Sequence, residues 1–174
     1  APAGPGATLP LGLYVHLPWC VRKCPYCDFN SHQVKQDLPA RDYTDALIAD
    51  LCAEAALAGA RPLATVFFGG GTPSLFPAGE IARILAAARD LLDFAADAEI
   101  TLEANPGASD AGRFAAYAAA GVNRLSIGAQ SFDAAMLRAL GRIHGPGEIA
   151  DTFALARTAG IGNIAAARGV KLES

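Results

Sequence analysis

Three closely spaced cysteines are the residues of this chain whose types and spacing point most directly to chemistry. Cys20, Cys24 and Cys27 follow the pattern C-x3-C-x2-C and come just after Pro18, where a short apolar segment ends. A loop this short points three thiolates into one small volume, and such soft ligands suit an iron–sulfur cluster or zinc. In a four-iron cluster, three cysteines leave one iron without a protein ligand, and an open position is typical of a reactive metal site.

The residues alone leave other interpretations of this loop open. A zinc ion would take the three thiolates with His16 or His32 as its fourth ligand, a disulfide would join two of the cysteines, and idle thiols would do neither. The fourth cysteine, Cys52, falls on the apolar stripe of a predicted helix, and we interpret it as a buried core residue. Because three of the four cysteines share one loop, the chain suits a reducing compartment, and we predict a cytoplasmic protein.

Composition and charge narrow the class of protein. The 174 residues are 52% hydrophobic and are enough for one domain with a real core. The net charge of −3 argues against a basic surface for nucleic acid. No apolar run approaches the roughly 20 residues that span a bilayer, so we expect no transmembrane segment. Residues 1–10 lack the basic and apolar regions of a signal peptide, and their Pro and Gly content predicts a disordered tail.

Hydrophobic periodicity predicts the elements that must position the cysteine loop. The predicted strands lie at 11–17, 63–68, 99–104 and 123–127, with a fifth strand entered at 160–164. The predicted helices lie at 38–59, 77–93, 109–120, 133–140 and 146–159. Ser109 or Asp110 would cap the third helix, and Gly121 would end it. Strand, loop and helix repeated about four times predict an α/β fold with a parallel sheet.

Four unusual segments follow the predicted strands at their carboxyl ends. They are the cysteine loop, Gly-Gly-Gly-Thr-Pro at 69–73, Glu-Ala-Asn-Pro at 103–106 and Gly-Ala-Gln-Ser at 128–131. Because the loops at this end of neighbouring parallel strands line one pocket, we expect the four segments to meet. Taken singly, the glycines are equally consistent with a tight turn, and Glu103, Gln130 and Arg142 with solvated surface groups.

The cysteine segment also resembles that of a known family. The C-x3-C-x2-C pattern with an aromatic residue, Tyr26, before its third cysteine is similar to the signature of the radical S-adenosylmethionine (SAM) superfamily. The longer segment from Tyr14 to His32 resembles the branch that holds oxygen-independent coproporphyrinogen III oxidases and their heme chaperone relatives. The resemblance extends from about Leu11 to Ile164 and implies a partial (β/α)6 radical-SAM barrel of about four βα units, truncated at its carboxyl end.

The resemblance assigns a role to each unusual segment. Cys20, Cys24 and Cys27 would bind three irons of a [4Fe–4S] cluster, and SAM would chelate the fourth through its amino and carboxylate groups. One electron from the reduced cluster would break a carbon–sulfur bond of SAM, which yields methionine and a 5′-deoxyadenosyl radical. The other cofactor-binding positions of the family correspond here to Tyr14, Tyr26, Gly70, Gly71, Thr72, Glu103, Gln130 and Arg142.

These positions differ in the part of SAM that they would contact. The two glycines and Thr72 would approach the methionine part, and Glu103 would accept hydrogen bonds from the ribose hydroxyls. Tyr14 would present its aromatic face to the sulfonium, unless it is a plain aromatic residue of the strand. Gln130 and Arg142 would face SAM or a second SAM-like molecule.

Three further side chains near the cysteine loop are expected to have supporting roles. We expect His16 to hydrogen-bond a loop carbonyl rather than to line the pocket. We expect Trp19 and Phe29 to be buried, which would keep water away from a bound cluster and tune its potential.

One position within the branch separates two functions. The oxidases carry a fourth cysteine where this chain has Phe29, and the Cys-x-Phe-Asn-Ser-His form resembles the heme chaperones. We therefore predict a radical SAM heme chaperone-like protein, with heme or porphyrin, a heme acceptor protein and an electron donor for the cluster as partners. The alternatives are an oxygen-independent coproporphyrinogen III oxidase, an oxidoreductase of porphyrin biosynthesis, and a zinc-stabilised binding module without redox chemistry.

The last ten residues depart from the family pattern. The family places a SAM-contacting Asp after Ile164, and this chain has no match for it. We interpret 165–174 as an atypical end that arose by truncation, by frameshift or artificially. The sequence thus predicts a disordered tail at 1–10, a partial radical SAM core at 11–164 and this atypical end, with an exposed sheet edge at the fourth or fifth strand.

Overall fold

Five parallel strands form one sheet whose spatial order follows the chain. The computed structural model describes residues 9–35, 37–107 and 111–168. In chain order, the elements are β1 (Leu11–Leu17), β2 (Trp19–Cys20), β3 (His32–Gln33), α1 (Ala40–Ala58), β4 (Leu63–Gly70), α2 (Ala78–Leu91), β5 (Phe94–Ala104), α3 (Ala111–Ala120), β6 (Arg124–Gln130), α4 (Ala134–Ala139), α5 (Pro146–Thr158) and β7 (Asn163–Arg168). The large sheet runs β1-β4-β5-β6-β7, and every neighbouring pair is parallel. The predicted α/β fold with a parallel sheet is confirmed.

The strand order is that of a barrel segment rather than of a doubly wound sheet. Strands that are neighbours in space are also successive strands of the sheet along the chain, so each connection advances by one strand in the same direction. A doubly wound sheet would reverse direction and place helices on both faces. Here α1 contacts α2, α2 contacts α3, and α3 contacts α5. The helices therefore line one face, as in a βα barrel.

Alternation along each strand divides the sheet into an apolar face and a polar face. The apolar face packs against the helices, and its side chains include Leu17, Phe68, Leu102 and Ile127, each fully buried. Burial of a side chain of this size contributes about 1.5–3 kcal/mol of transfer free energy. The other face carries, from β1 to β6, Tyr14, His16, Phe67, Glu103, Ser126 and Gln130. The alternating hydrophobic pattern thus places the polar residues on the face of the sheet that is opposite the helices.

Element boundaries differ from the sequence predictions mainly at strand ends. β4 continues through Gly69 and Gly70, and β5 begins at Phe94 rather than at 99. β7 runs to Arg168 and so includes four residues of the segment that we expected to be atypical. Within the described residues β7 is an outer strand, as expected for the fifth strand. The tail at 1–8 and the two candidate caps at 109 and 110 lie outside the described residues.

One core prediction was wrong: Cys52 is exposed. α1 buries Ala40, Thr44 and Leu51, and Cys52 lies one residue, or about 100°, further round the helix than Leu51. Because α1 is rich in alanine, its few large apolar residues define the buried face poorly. Gly121 does end α3 as predicted, with a left-handed φ of +108°.

None of the described helices is long and apolar enough to cross a membrane.

Candidate functional site

The cysteine loop is closed at its base by backbone hydrogen bonds. Pro18 follows β1, and β2 and β3 then pair in parallel on either side of the loop. The N–H of His32 donates to the Pro18 carbonyl at 2.6 Å, and the N–H of Val34 donates to the Cys20 carbonyl at 2.9 Å. The loop between these two contacts therefore begins and ends at one place beside the carboxyl end of β1.

Lys23 links parts of the loop through hydrogen bonds to its backbone. Lys23 Nζ donates to the carbonyl oxygens of Phe29 and Ser31, both at 3.2 Å. The Cys27 N–H donates to the Cys24 carbonyl at 3.1 Å, which forms a turn between the second and third cysteines. These contacts hold the three free thiols on one loop without any disulfide.

Aromatic packing anchors the start of the loop to the core. Trp19 lies edge-on to Tyr43 with ring centroids 4.6 Å apart, and its centroid is 5.5 Å from that of Phe76. The Tyr43 hydroxyl donates to the His16 carbonyl at 3.0 Å. Trp19 is partly buried against the core, as expected, and it holds the adjacent Cys20, which is itself buried.

The segment at the carboxyl end of β4, which we call the glycine turn (Gly70, Gly71 and Thr72), packs directly on the start of the cysteine loop. The Gly71 N–H donates to the Leu17 carbonyl at 2.8 Å, and the Thr72 N–H donates to the Trp19 carbonyl at 2.7 Å. A Cβ at Gly71 would lie 2.5 Å from the Trp19 carbonyl oxygen, and Gly70 has a left-handed φ of +115°. Only glycine permits this close approach of two backbones.

The four unusual segments meet at one cavity, as their positions after parallel strands predict. The cavity has a volume of about 310 Å³. The predicted site residues that line it are Cys20, Cys24, Cys27, Tyr26, Gly70, Gly71, Thr72, Glu103, Gln130 and Arg142. Free thiols, accessible glycine backbone and a carboxylate thus share one space of a size suited to a small cofactor.

Glu103 is held in an unfavourable environment for its charge. Burial raises the pKa of its carboxyl above the ordinary value of 4.5, although the Gly70 N–H donates a hydrogen bond that partly offsets the effect. Perturbed carboxyl groups in cavities are frequent at functional sites. Glu103 therefore lies in the cavity, where its carboxyl oxygens can accept hydrogen bonds from ligand hydroxyls.

The Glu103→Gln variant is expected to melt at a higher temperature than the wild-type protein at pH 7 in the cofactor-free state. A raised pKa means that the folded protein binds this proton more tightly than the unfolded chain, so wild-type stability is lost as pH rises through the raised value. Thermal melts between pH 4 and 8 test the prediction. The advantage of the variant should shrink as the pH approaches 4.5, and a constant difference would contradict an origin in ionisation.

Gln130 has a strained backbone at the end of β6. Its φ is +65°, and within the described ranges no other residue apart from glycines has a positive φ. The β6–β7 register shifts between Ile127 and Gln130, which marks the same irregularity. Left-handed backbone is unfavourable for a side chain with a Cβ, and such strain concentrates at binding sites.

Replacement of Gln130 by Gly is expected to leave the free energy of unfolding unchanged or to raise it by about 1 kcal/mol, because the left-handed strain disappears. Gln130→Val is the matched comparison, since a β-branched residue tolerates this backbone worst and should destabilise the protein. Urea denaturation of the cofactor-free chain measures both variants. Equal losses from Gly and Val would mean that side-chain contacts, not strain, determine stability at this position.

Three sequence predictions about nearby side chains have different outcomes. His16 Nε2 lies 2.8 Å from the Asn30 carbonyl oxygen, so the expected hydrogen bond to a loop carbonyl is confirmed. Phe29 lines the cavity but is 61% exposed, so the expectation of its burial was wrong. Tyr14 stacks on Phe67 with centroids 6.2 Å apart and does not line the cavity.

The two histidines that the sequence offers as a fourth zinc ligand have different surroundings. His16 Nδ1 lies 2.9 Å from the Tyr14 hydroxyl, so both of its ring nitrogens have partners, and His32 is exposed. Across the described ranges, no three His, Cys, Asp or Glu side chains converge where one ion would sit. A four-iron cluster binds each cysteine through a different iron, so it does not require convergence on a single ion.

Asn105 is a site residue that the sequence pattern alone did not predict. Its amide nitrogen donates to the Thr72 hydroxyl at 2.9 Å, and its Oδ1 accepts from Arg142 at 2.6 Å. The side chain thus joins two predicted site residues and also lines the cavity. Asn105 belongs to Glu-Ala-Asn-Pro, one of the four unusual segments at strand ends. This position could have indicated its place in the site.

The parallel sheet and the cysteine loop at its carboxyl end define a class of protein. The sequence model of the radical SAM superfamily matches residues 14–171 of this chain. The chain therefore belongs to this superfamily. The predicted family membership is confirmed.

The similar curated proteins include heme chaperones. HemW of Escherichia coli (strain K12) is 53% identical over 152 residues, which are 87% of this chain and 40% of that protein. HemW of Haemophilus influenzae is 49% identical over 156 residues, 87% of this chain and 41% of that protein. The mouse mitochondrial radical S-adenosyl methionine domain-containing protein 1 is 41% identical over 90% of this chain and 35% of its own length. The chain spans about two-fifths of these relatives.

Solved structures confirm the partial radical-SAM barrel. The coproporphyrinogen III oxidase HemN of Escherichia coli, described as a radical SAM enzyme, matches with a TM-score of 0.80 and 32% identity. The match covers 90% of this chain and 36% of that chain. The cobalamin-dependent SAM radical enzyme OxsB, at 14% identity and a TM-score of 0.58, shares the fold alone.

Proposed function

We propose that this chain is the cluster- and SAM-binding part of a heme chaperone of the HemW type, which delivers heme to acceptor proteins. The observation that carries the proposal is the single cavity lined by three free thiols, the glycine turn and Glu103. The identity of about 50% to HemW proteins supports the chaperone function. Heme or porphyrin, a heme acceptor and an electron donor are its partners under this proposal.

The residues of the cavity fit a [4Fe–4S] cluster and SAM. Cys20, Cys24 and Cys27 would hold the cluster through their thiolates, and a reduced cluster bound there would supply one electron for cleavage of SAM. The glycine turn lets a ligand approach the backbone, where no Cβ intervenes. Glu103 accepts hydrogen bonds from ribose hydroxyls, which suits a carboxylate with free acceptor capacity. Because the thiols must stay reduced, we place the protein in the cytoplasm.

The support for a cofactor contact differs among Gln130, Tyr14 and Arg142. Gln130 lines the cavity with a strained backbone, which supports a ligand contact. Tyr14 lies outside the cavity lining, so its contact with the sulfonium requires a different rotamer or a larger ligand site. Arg142 lines the cavity, but its terminal nitrogens already have protein partners.

An oxygen-independent coproporphyrinogen III oxidase is the second candidate, because the match to HemN covers nearly the whole chain with a TM-score of 0.80. Two observations favour the chaperone. Identity to HemW of Escherichia coli is 53%, against 32% to HemN. The oxidases that this chain resembles carry a fourth cysteine, and this chain has Phe29 at that position.

The test is anaerobic reconstitution with iron and sulfide, followed by EPR of the reduced protein with and without SAM. About four irons and four sulfides per chain, with a signal that changes on addition of SAM, would support cluster and cofactor binding. Heme titration and coproporphyrinogen turnover in a full-length homologue then separate the two candidates. The proposal would be contradicted if the protein bound zinc in place of iron, or if its EPR signal did not change on addition of SAM.

A further inference from the structure

Four side chains form a hydrogen-bonded bridge between the glycine turn and the cysteine loop. Asn105 Nδ2 donates to Thr72 Oγ1 at 2.9 Å, and Arg142 Nη2 donates to Asn105 Oδ1 at 2.6 Å. Arg142 Nη1 then lies 3.5 Å from Cys24 Sγ, within hydrogen-bond distance for sulfur. The four residues come from four separate segments of the chain, so the bridge exists only in the folded protein.

Arg142 is held in place from the side opposite the sulfur. Its Nη2 also donates to the Gly128 carbonyl at 2.8 Å, and its Nε is buried without a partner among the described residues. With one terminal nitrogen fixed by Asn105 and Gly128, the planar guanidinium must direct the other toward Cys24. The Tyr26 side chain interacts with both Cys24 and Arg142, so it lies beside the end of the guanidinium that faces the sulfur.

Gly128 packs closely against two members of the bridge. A Cβ at Gly128 would lie 2.8 Å from Asn105 Oδ1 and 3.3 Å from Arg142 Nη2. A residue larger than glycine at this position would therefore push on both members of the bridge at once. The amide, the guanidinium and the glycine fit together as one unit.

We propose that Asn105 is a positioning residue that holds Arg142 against the Cys24 sulfur, so that Arg142 raises the reduction potential of a cluster bound there. This inference rests on the proposed function, because it requires a cluster on the three cysteines. A hydrogen bond from a cation to a ligating sulfur stabilises the more negative, reduced state of a cluster, and hydrogen bonds to the sulfurs are among the determinants of cluster potential. Arg142 thus serves the cluster in addition to any contact with SAM.

The experiment is an EPR-monitored redox titration of the reconstituted protein without SAM. Asn105→Ala and Arg142→Met are each expected to shift the midpoint potential to a more negative value. The double variant should shift no further than Arg142→Met alone, because Asn105 acts through Arg142. Arg138→Met is the matched control: it removes an exposed arginine of α4 outside the bridge and should leave the potential at the wild-type value.

The outcomes separate this inference from the proposed function. An Asn105→Ala shift that persists in the Arg142→Met background, or an unchanged potential in both single variants, would overturn the inference while the cluster proposal stands. A wild-type chain that binds no cluster would overturn both. If Asn105→Ala does not fold, Asn105→Ser, whose hydroxyl is too short to make both contacts, replaces it with the same expectation.

Discussion

Cys24→Ala is expected to reduce the iron and acid-labile sulfide of the reconstituted protein from about four of each per chain to a small fraction of that value. Cys24 supplies one of only three protein thiolates in the cavity, and its loss leaves two irons without protein ligands. The variant also loses the sulfur at which the Arg142 bridge ends. The measurement is metal and sulfide analysis after anaerobic reconstitution and gel filtration.

Cys52→Ala provides the matched control for this loss. Cys52 is the remaining cysteine of the chain and is exposed on α1, away from the cavity lining. Its replacement should leave iron and sulfide at the wild-type level, because an exposed helical Cys→Ala change is mild. Equal iron in Cys24→Ala and wild-type protein would show that the cluster is not bound by this loop.

Gly71→Ala is expected to destabilise the cofactor-free protein by about 3 kcal/mol and to impair cluster binding at the same time. The new Cβ would lie 2.5 Å from the Trp19 carbonyl oxygen and 2.8 Å from the Pro18 carbonyl carbon. Both are backbone atoms that cannot move aside as a flexible side chain would, so the overpacking cost lies at the upper end of the usual range. Because Trp19 precedes Cys20, the displaced backbone would also shift the first thiol.

Gly79→Ala is the control that separates this clash from a general effect of replacing glycine. Gly79 lies in the first turn of α2, and a Cβ there would meet nothing within 4 Å. Alanine should stabilise the helix by up to about 1 kcal/mol relative to glycine. Urea denaturation and iron content of both variants test the pair. A Gly71→Ala protein as stable as wild type would mean that the glycine turn can separate from the cysteine loop.

Much of the fold follows from local patterns in the sequence. Apolar runs separated by helical stretches predict parallel βα units, and the carboxyl ends of parallel strands lie together whatever their exact register. For this reason the sequence correctly predicts that the cysteine loop, the glycine turn, Glu103 and Gln130 meet at one site. Strand ends were less accurate, because β4 continues through glycines that by themselves favour a turn.

The prediction for Cys52 shows where periodicity is insufficient. An alanine can lie on either face of a helix at little cost, so the alanine-rich α1 allows more than one buried face. Packing against α2 helps to select the face that contains Leu51 and leaves Cys52 exposed. The selection depends on neighbours that are distant in sequence.

The family, the parallel βα architecture and the three thiols of the site thus follow from the sequence. The three-dimensional arrangement was needed to show that Tyr14 does not line the cavity, that Phe29 is exposed and that Arg142 contacts Cys24, 118 residues away in sequence. The physical reason is that backbone periodicity is local, whereas side-chain partners depend on the register between strands and on the space left by residues such as Gly128.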